Sequence, residues 1–504
     1  MNQNQTFATV IFDGNAQPVA IGTRLSVLLH EDMPCGGHGK CGKCRVIAKG
    51  ALSPLSDSEK KFLSVEDIAS GVRLACLTTV EGDCEISREK TGETGDNQIV
   101  TDGKMPAFVP DPTFANYGVA IDIGTTPLAA RLYDPKANLL AETSMLNPQS
   151  ECGADVVSRI EAWLKGESDR LAGLICGAID QMIADLAQKS GVPADRIDAV
   201  VVTGNTTMLY LLTKTSVEPL SHAPFDAPRL FGETLTAQTL GLASLSPATG
   251  VYFPPCISAF VGADTVCALL STEICAKSET AVLVDIGTNG EMGLWHDGQL
   301  TVTSTAAGPA FEGVGISMGM RGGPGAIDRV TVEDGELSAH VIGGGEPVGI
   351  CGSGLIDAVA CLLETEILDE TGYLEDDEAV IADPVTLTDQ DIRMVQLAKS
   401  AIHAGLKTML IVNDVENDQV ATLYVAGGFG EYLDMESAGK IGLLPVELTR
   451  KVKVVGNAAL SGASMLLLNK KFRADCSQLS QNAKVQSLAA NPIFADEYME
   501  GMMF

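Results

Sequence analysis

The sequence of 504 residues has little positive charge and no long apolar run, and each absence excludes a class of protein. Its 34 Lys and Arg residues face 65 Asp and Glu residues, which gives a net charge of −31. A surface of that sign repels phosphate backbones, so we predict no nucleic-acid partner. Although 45% of the residues are hydrophobic, no apolar run approaches the length of a membrane span, so we predict no membrane partner. The opening MNQNQTFATV lacks the basic and apolar regions of a secretory signal, which predicts a cytoplasmic protein.

Thirteen cysteines are present, and four near the N-terminus have the spacing of a metal centre. Cys35, Cys41 and Cys44 share the Gly-rich loop CGGHGKCGKC, and Cys76 follows in RLACLTT. Without an export signal the compartment is expected to be reducing, which favours thiols or a metal over disulfides. The pattern predicts that these four residues bind a [2Fe–2S] cluster, with glycines that let the backbone N–H groups approach the sulfurs.

A zinc site and a disulfide loop are the alternatives for these cysteines. Structural zinc usually uses two close C-x2-C pairs, and only Cys41 and Cys44 form one. A disulfide framework is typical of short secreted chains. The spacing resembles ferredoxins of the plant and vertebrate type, with the longer first gap of the adrenodoxin branch, whereas Cys84 is interpreted as an ordinary thiol.

The distribution of apolar residues divides the chain into three predicted parts. Residues 1–91 alternate as strands do, which favours a small α+β domain of the β-grasp type. Residues 92–116 are rich in Gly, Pro and Asp and lack periodicity, which predicts a flexible linker. Residues 117–504 alternate apolar strands with helical periodicity and are expected to form α/β layers. Similar segments, AIDIGTT at 120–126 and LVDIGTN at 283–289, predict two α/β halves of about 117–275 and 276–504 that enclose a ligand cleft.

Phosphate chemistry is predicted where the repeated strands end. Asp122 and Asp285 are hard oxygen ligands suited to Mg²⁺ and are the predicted catalytic residues. The predicted nucleotide-binding residues are glycines that allow close approach and side chains or N–H groups that donate to phosphate: Gly124, Thr125, Thr126, Gly287, Thr288, Asn289, Gly427 and Gly428. The roles of Asp264, Glu291, Cys351 and Asp357 stay open.

Residues 117–470 resemble the ASKHA superfamily of acetate and sugar kinases, Hsp70 and actin. Asp122–Thr126 corresponds to its first phosphate motif, Asp285–Gly290 to its second, and Ala426–Gly430 to its adenosine motif. A ferredoxin placed before such an ATPase resembles one family, the reductive activators of corrinoid-dependent enzymes. Further segments of this chain that resemble it are VGADT, AGPAFEGVGISMGMRGGPGAI and GICGSGLID.

The resemblance implies a β-grasp ferredoxin followed by a duplicated α/β ASKHA domain, with a [2Fe–2S] cluster and ATP with Mg²⁺ as cofactors. It also implies ATP-dependent transfer of one electron to inactive cob(II)alamin on a corrinoid protein of a methyltransferase system, which restores Co(I). No dinucleotide-binding G-x-G-x-x-G follows a strand, so we expect an external low-potential donor. A homodimer is possible in such a family. Larger relatives carry an extra middle domain, and we expect none here, because the linker leads directly into YGVAIDIG.

Other functions use the same cleft. A small-molecule kinase of the ASKHA superfamily would transfer phosphate to a hydroxyl, but it gives no reason for a cluster domain. A redox-sensing regulatory or chaperone-like ATPase would combine both parts. An activator of a radical dehydratase would hold a [4Fe–4S] cluster between subunits, which the N-terminal cysteine spacing disfavours.

Overall fold

The computed structural model describes residues 7–12, 15–29, 39, 42, 44–88, 103–428 and 432–504. Two compact units divide the chain. The first comprises Met1–Thr94 with Pro148–Ala154, and the second comprises Gly95–Asn147 with Asp155–Phe504.

The first unit is built on a five-stranded mixed sheet with the strand order β2-β1-β5-β3-β4. Its elements are β1 (Phe7–Phe12), β2 (Asn15–Ala20), α1 (Ser26–Leu29), β3 (Arg45–Leu52), α2 (Val65–Ser70), β4 (Val72–Leu74) and β5 (Val80–Arg88). Strands β1 and β5 run parallel, and the other neighbours are antiparallel. Alternation along β1 and β3 turns one set of side chains inward, so that Val10 and Val46 are buried in the core of the unit.

The first half of the second unit contains a six-stranded sheet with the order β10-β11-β9-β6-β7-β8. Its elements are β6 (Tyr117–Ile123), β7 (Pro127–Tyr133), β8 (Leu139–Leu146), α3 (Val156–Ala162), α4 (Ser168–Ser190), β9 (Ile197–Gly204), α5 (Thr206–Leu212), β10 (Glu233–Thr236), α6 (Ala237–Leu240), β11 (Gly250–Phe253) and α7 (Ala263–Ser271). Strand β9 is buried along nearly its whole length, as expected of a strand covered on both faces.

The second half repeats this plan, with the strand order β21-β20-β12-β13-β14-β22, and inserts two small sheets. Its elements are β12 (Ala281–Ile286), β13 (Gly290–His296), β14 (Gln299–Thr305), β15 (Ala326–Glu333), β16 (Glu336–Val341), β17 (Gly349–Ile350), α8 (Gly352–Glu364), β18 (Glu378–Ala382), β19 (Val385–Thr388), α9 (Asp389–Val412), β20 (Thr422–Ala426), α10 (Met435–Lys440), α11 (Val446–Thr449), β21 (Val452–Gly456), α12 (Ala458–Leu468), α13 (Lys471–Asn482), β22 (Lys484–Val485) and α14 (Pro492–Glu500).

The two halves share one topology. In each, three consecutive strands pair antiparallel, β6-β7-β8 and β12-β13-β14, and two later strands add parallel, β9 then β11 and β20 then β21. Helices α7 and α12, which follow the last of these strands, pack on each other. The duplicated α/β arrangement expected from the sequence is therefore present, and equivalent strands β6 and β12 both end at a predicted phosphate motif.

One helical stretch, Val156–Ser190, is long and apolar enough to cross a membrane by length and composition alone. Two features favour a core helix instead. A π-helical turn with Gly166 at φ 97° interrupts it between α3 and α4. The apolar face of α4, including Ile175, Ile179 and Ile183, is fully buried in the protein, and α4 packs on β8.

Part of the segment predicted as a flexible linker is packed, which corrects that expectation for residues 103–116. The N–H of Thr113 donates to Leu467 O at 2.9 Å, and the N–H of Asp111 donates to Leu468 O at 3.0 Å. Phe114 is buried, and Phe108 meets Phe472 edge-on with centroids 5.2 Å apart. The prolines of this segment interrupt the periodicity of its apolar residues. They still allow an extended backbone that forms hydrogen bonds with neighbouring segments. Residues 92–102 lie outside the described residues.

Candidate functional site

Two of the four predicted cluster ligands lie together in the first unit. Cys44 precedes β3 and Cys76 follows β4, and the antiparallel pairing of these strands brings their ends together. The two Sγ atoms are 3.1 Å apart, and the Cys76 N–H donates to Cys44 Sγ at 3.4 Å. Both residues are buried. Cys35 and Cys41 lie outside the described residues.

The loop around these thiols depends on glycine at Gly42. Its φ is +67°, and a Cβ there would lie 2.9 Å from Phe62 Cβ. Glycine is therefore required both for the left-handed backbone and for the space. A buried thiol pair near such a glycine fits the donor chemistry of an iron–sulfur centre. Within the described residues no group of three or more His, Cys, Asp or Glu has the arrangement of a metal site, and two of the four predicted cluster ligands lie outside those residues.

A buried carboxylate fixes the segment that carries Cys76. Glu59 is fully buried and forms an ion pair with Arg73, with Oε1 2.9 Å from Nε. The same oxygen accepts from the Leu74 N–H at 3.2 Å and from Thr78 Oγ1 at 3.0 Å, on either side of Cys76. Burial alone would raise the pKa of Glu59, but the hydrogen bonds from Arg73 and the backbone outweigh it and lower the pKa to about 2.

The second unit holds a cleft of about 480 Å³ between its two halves, lined by both predicted phosphate motifs. All ten predicted catalytic and nucleotide-binding residues line this cleft: Asp122, Gly124, Thr125, Thr126, Asp285, Gly287, Thr288, Asn289, Gly427 and Gly428. Phe429 and Gly430, at the end of the predicted adenosine motif, lie outside the described residues. The strand ends that carry the motifs therefore meet, as ligand sites in open α/β sheets do.

The first phosphate motif is a tight turn held from several elements. The N–H of Gly124 donates to Pro127 O at 3.0 Å and closes the turn. Asn205, which caps α5, donates from Nδ2 to Thr125 Oγ1 at 3.0 Å. Asn457, which caps α12, donates from Nδ2 to Asp122 Oδ2 at 3.1 Å. Side chains from both halves therefore orient the groups of this motif.

The second phosphate motif is a similar turn with different supports. The N–H of Gly287 donates to Asn289 O at 3.0 Å. Thr288 Oγ1 donates to Glu312 Oε1 at 2.5 Å. Gly427 packs against this motif, since a Cβ there would lie 2.8 Å from Asp285 Oδ1. Its lack of a side chain therefore lets β20 approach the second carboxylate closely.

Four carboxylates line the cleft: Asp122, Asp264, Asp285 and Glu291. Burial and the charge of Asp264 raise the pKa of Asp122 to about 7, and the same two causes raise the pKa of Asp285 to about 7. Burial raises the pKa of Asp264 to about 6. Burial and the neighbouring acids Asp264 and Asp285 raise the pKa of Glu291 well above its ordinary value. Such a cluster holds its ionised form poorly unless a cation neutralises it, and carboxylate oxygens are preferred ligands of Mg²⁺.

Sequence reasoning left Asp264 and Glu291 open and missed both asparagines. Asn205 and Asn457 each follow a strand that ends in glycine, and each begins a helix, in TGNTT and VGNAAL. A strand–Gly–Asn–helix pattern that occurs twice was therefore an available signal. Asp264 gave a weaker signal, because its position at the start of α7 suggested helix capping as readily as binding of Mg²⁺ or water.

The other two open residues have different surroundings. Cys351 lines the cleft at the start of α8, with Sγ 3.4 Å from Ser353 Oγ. Asp357 lies inside α8, where Oδ2 accepts from the Val330 N–H at 3.4 Å. Burial raises the pKa of Asp357, but this residue is not among those that line the cleft.

Comparison with known proteins places this geometry in a family. Residues 279–504 match the family described as "C-terminal domain of RACo the ASKHA domain", and residues 117–277 match the "RACo middle region". The chain is 32% identical over 444 residues to "Corrinoid activation enzyme RamQ" of Eubacterium limosum, covering 81% of this chain and 74% of that protein. The chain belongs to the family of reductive activators of corrinoid proteins.

Two further relatives of this activator are similar along most of its length. The "[Co(II) methylated amine-specific corrinoid protein] reductase" of Methanosarcina barkeri is 26% identical over 415 residues, which is 76% of each chain. A solved structure titled "Reductive activator for corrinoid,iron-sulfur protein" superposes with a TM-score of 0.71 and 27% identity, covering 99% of this chain and 98% of that one.

The expectation that the activator lacks the family's middle domain is wrong. The middle-region match coincides with the half built on β6–β11, which the repeat had assigned to the ASKHA domain. The region is present in the sequence. Because it resembles the second half, we assigned both halves to one ASKHA domain, whereas the family descriptions treat them as two regions. The ASKHA description itself covers residues 279–504.

Proposed function

We propose that this chain is an ATP-dependent reductive activator, which passes one electron from a [2Fe–2S] cluster to the Co(II) corrinoid of a partner protein and restores Co(I). Four half-buried carboxylates and two phosphate motifs line one cleft, in a chain that also carries a buried cysteine pair, and this supports the proposal most directly. The names of the relatives support the corrinoid protein as the target.

The first unit is proposed to be a β-grasp ferredoxin domain that holds the cluster through Cys35, Cys41, Cys44 and Cys76. A five-stranded mixed sheet with a thiol pair at its strand ends supports this assignment. The cluster would supply a one-electron carrier. The chain's own contribution is to exclude water from the two described thiols and to hold Cys76 through the network around Glu59.

The cleft is proposed to bind ATP with Mg²⁺ and to hydrolyse ATP. Asp122 and Asp285 would hold the metal directly or through water. Asp264 is close enough to raise the pKa of both, and Glu291 lies opposite Asp285 in the β12–β13 pair. Thr125, Thr126 and the second motif would donate to phosphate oxygens. Positioning and electrostatics account for most phosphoryl-transfer catalysis, and rigid strand ends supply both.

The coupling of ATP to the electron has a thermodynamic reason. Plant-type clusters have potentials of about −400 mV. A Co(I) product of lower potential costs about 1.4 kcal/mol for each 60 mV, since a tenfold change in equilibrium corresponds to about 59 mV for one electron. Differential binding of ATP to two docked states can supply that free energy. The balance is one electron from the reduced cluster to Co(II), with ATP and water giving ADP and phosphate, and an external low-potential donor reducing the cluster again.

Full-length protein, a chemical reductant and a corrinoid protein in the Co(II) state test this function. We expect Co(I) absorbance to form only when ATP and Mg²⁺ are added. Asp122→Asn and Asp285→Asn each remove a charge that the metal needs with little change of shape. Hydrolysis should fall by about 100-fold or more in each, and Co(I) formation should fall with it. Reduction of the cluster by the external donor should be unchanged.

Asp357→Asn is the matched control, because that carboxylate is buried but is not among the residues lining the cleft. It should keep both hydrolysis and Co(I) formation. A cleft variant that loses hydrolysis but forms Co(I) at the wild-type rate would show that ATP does not drive the electron. Transfer of phosphate to a small-molecule hydroxyl would favour the kinase.

The remaining assignments are proposals of narrower scope. A cytoplasmic location is proposed from the thiol-rich composition. A homodimer stays a prediction.

A further inference from the structure

A buried arginine in α3 donates a hydrogen bond to the first phosphate motif. Arg159 is fully buried, and its Nη2 donates to the carbonyl oxygen of Thr125 at 2.7 Å. Its Nη1 lies 3.2 Å from Met208 Sδ, on α5. Burying a guanidinium carries a large desolvation cost, which hydrogen bonds such as the one to Thr125 help to offset.

The two neighbouring carbonyls of the same turn accept hydrogen bonds from Asn147. Asn147, which is also buried, donates from Nδ2 to Gly124 O at 2.9 Å. The backbone N–H of Asn147 donates to Thr126 O at 2.8 Å. Three consecutive carbonyls, those of Gly124, Thr125 and Thr126, are therefore fixed by Asn147 and Arg159.

Fixing these carbonyls also fixes the donors of the turn. A trans peptide is planar, so its C=O and its N–H point in opposite directions. When Asn147 holds the Gly124 carbonyl, the Thr125 N–H points away from it, and when Arg159 holds the Thr125 carbonyl, the Thr126 N–H does likewise. Neither N–H donates a hydrogen bond within residues 103–428 and 432–504. Successive backbone N–H groups that point to one side form an anion-binding site.

The second motif shows that the arginine is not a general requirement of the turn. There the carbonyl of Thr288, the equivalent of Thr125, accepts a neutral backbone N–H from Gly308 at 2.9 Å. The two halves share their topology but differ at this support, so the charge-assisted hydrogen bond belongs to the first motif alone.

We propose that Arg159 is a positioning residue for nucleotide phosphates, acting through the Thr125 carbonyl to orient the Thr125–Thr126 donors toward the cleft. The inference rests on the proposed function, because it takes the ligand of the cleft to be a nucleoside triphosphate with Mg²⁺. On this proposal α3 contributes to nucleotide affinity, although it lies far from the motif in the sequence.

Nucleotide titrations of the full-length chain test this role. Arg159→Met keeps the length of the side chain but removes its donors, and Arg159→Lys keeps the charge with one donor group. We expect MgATP affinity to fall about 10- to 100-fold in Arg159→Met, the loss that corresponds to one charge-assisted hydrogen bond. Arg159→Lys should be intermediate. Affinity for adenosine, which has no phosphate, should be unchanged in both variants.

Arg131→Met is the matched control, since Arg131 is also buried but lies on β7 and is not among the residues lining the cleft. Thermal unfolding of each variant checks that it folds. The proposal is overturned if Arg159→Met binds MgATP as the wild type does, if adenosine affinity falls as much as MgATP affinity, or if Arg131→Met loses as much. Wild-type protein that binds no MgATP would overturn the proposed function itself, which is a separate result.

Discussion

Mg²⁺ binding by the acid cluster should depend steeply on pH, because the metal must displace protons that the cleft retains. Asp122 and Asp285 have pKa values raised to about 7 from an ordinary 3.8. Each rise corresponds to on the order of 4 kcal/mol against ionisation. Both residues have the same two main causes, burial and the charge of Asp264.

The sign follows from linkage. An acid whose folded pKa is raised binds its proton more tightly in the folded state than in the unfolded chain. The free energy of unfolding of the metal-free protein should therefore fall as pH rises from about 4 to about 7, and level off above that. Mg²⁺ binds the ionised carboxylates, so the stabilisation that it gives should be larger at pH 8 than at pH 6.

The size of the effect can be worked from the same values. A carboxyl of pKa about 7 is about 90% protonated at pH 6 and about 10% at pH 8. If one or both carboxyls lose a proton on binding, Mg²⁺ affinity should fall about 10- to 100-fold between pH 8 and pH 6. Calorimetric titration in two buffers of different ionisation enthalpy measures both the affinity and the number of protons released.

Asp264→Asn and its control make the test specific. Removing the Asp264 charge should lower the pKa of Asp122 and of Asp285, so the pH dependence should move to lower pH. Asp357→Asn, a buried carboxyl not among the residues lining the cleft, should leave it where it is. Equal Mg²⁺ affinity at pH 6 and pH 8 with no proton release would refute the reasoning, as would an equal shift in both variants.

Three further predictions concern the first unit and the segment that follows it. Cys44→Ala should abolish the [2Fe–2S] absorption spectrum while ATP hydrolysis continues, whereas Cys84→Ala, another buried thiol, should keep the spectrum; an intact spectrum in Cys44→Ala would contradict the ligand assignment. Glu59→Gln should weaken the support of the Cys76 segment by about 1–3 kcal/mol, measured as the free energy of unfolding of the first unit, because a buried charge-assisted network is broken. The wild-type contribution of Glu59 should be present above its ordinary pKa and lost as pH falls toward about 2, and a variant equal to wild type at neutral pH would argue against it. Cleavage of the chain between residues 94 and 103 should give a cluster-binding piece and an ATP-binding piece, while cleavage near residue 110 should destabilise the second, as thermal unfolding would show; two equally stable products from both cuts would contradict the packing of residues 103–116.

The local features of the chain could be predicted from its sequence. Apolar strands ending in Asp-x-Gly-Thr predicted β6 and β12 and their phosphate turns, because the strand period and the turn chemistry are properties of a few neighbouring residues. The likeness of residues 120–126 to residues 283–289 predicted the duplicated topology for the same reason. The spacing of Cys44 and Cys76 predicted a common site, and the structure brings their sulfurs together.

Other features exist only because distant parts of the chain meet. Asp264, from the first half, reaches Asp285 of the second half only through the packing of the two halves, and its charge then raises the pKa of both Asp122 and Asp285. Residues 103–116 looked like a linker because composition does not reveal a partner such as Leu467. Arg159 lies 34 positions from Thr125 and is buried beneath it, so nothing in the local sequence distinguished it from a solvated helix residue. The sequence by itself determined the strands, the phosphate turns and the cysteine spacing, because these depend on nearby residues. The tertiary structure decided the pKa values of the acids and the hydrogen bonds that hold the first motif, because distant contacts set the dielectric environment and the hydrogen-bond partners.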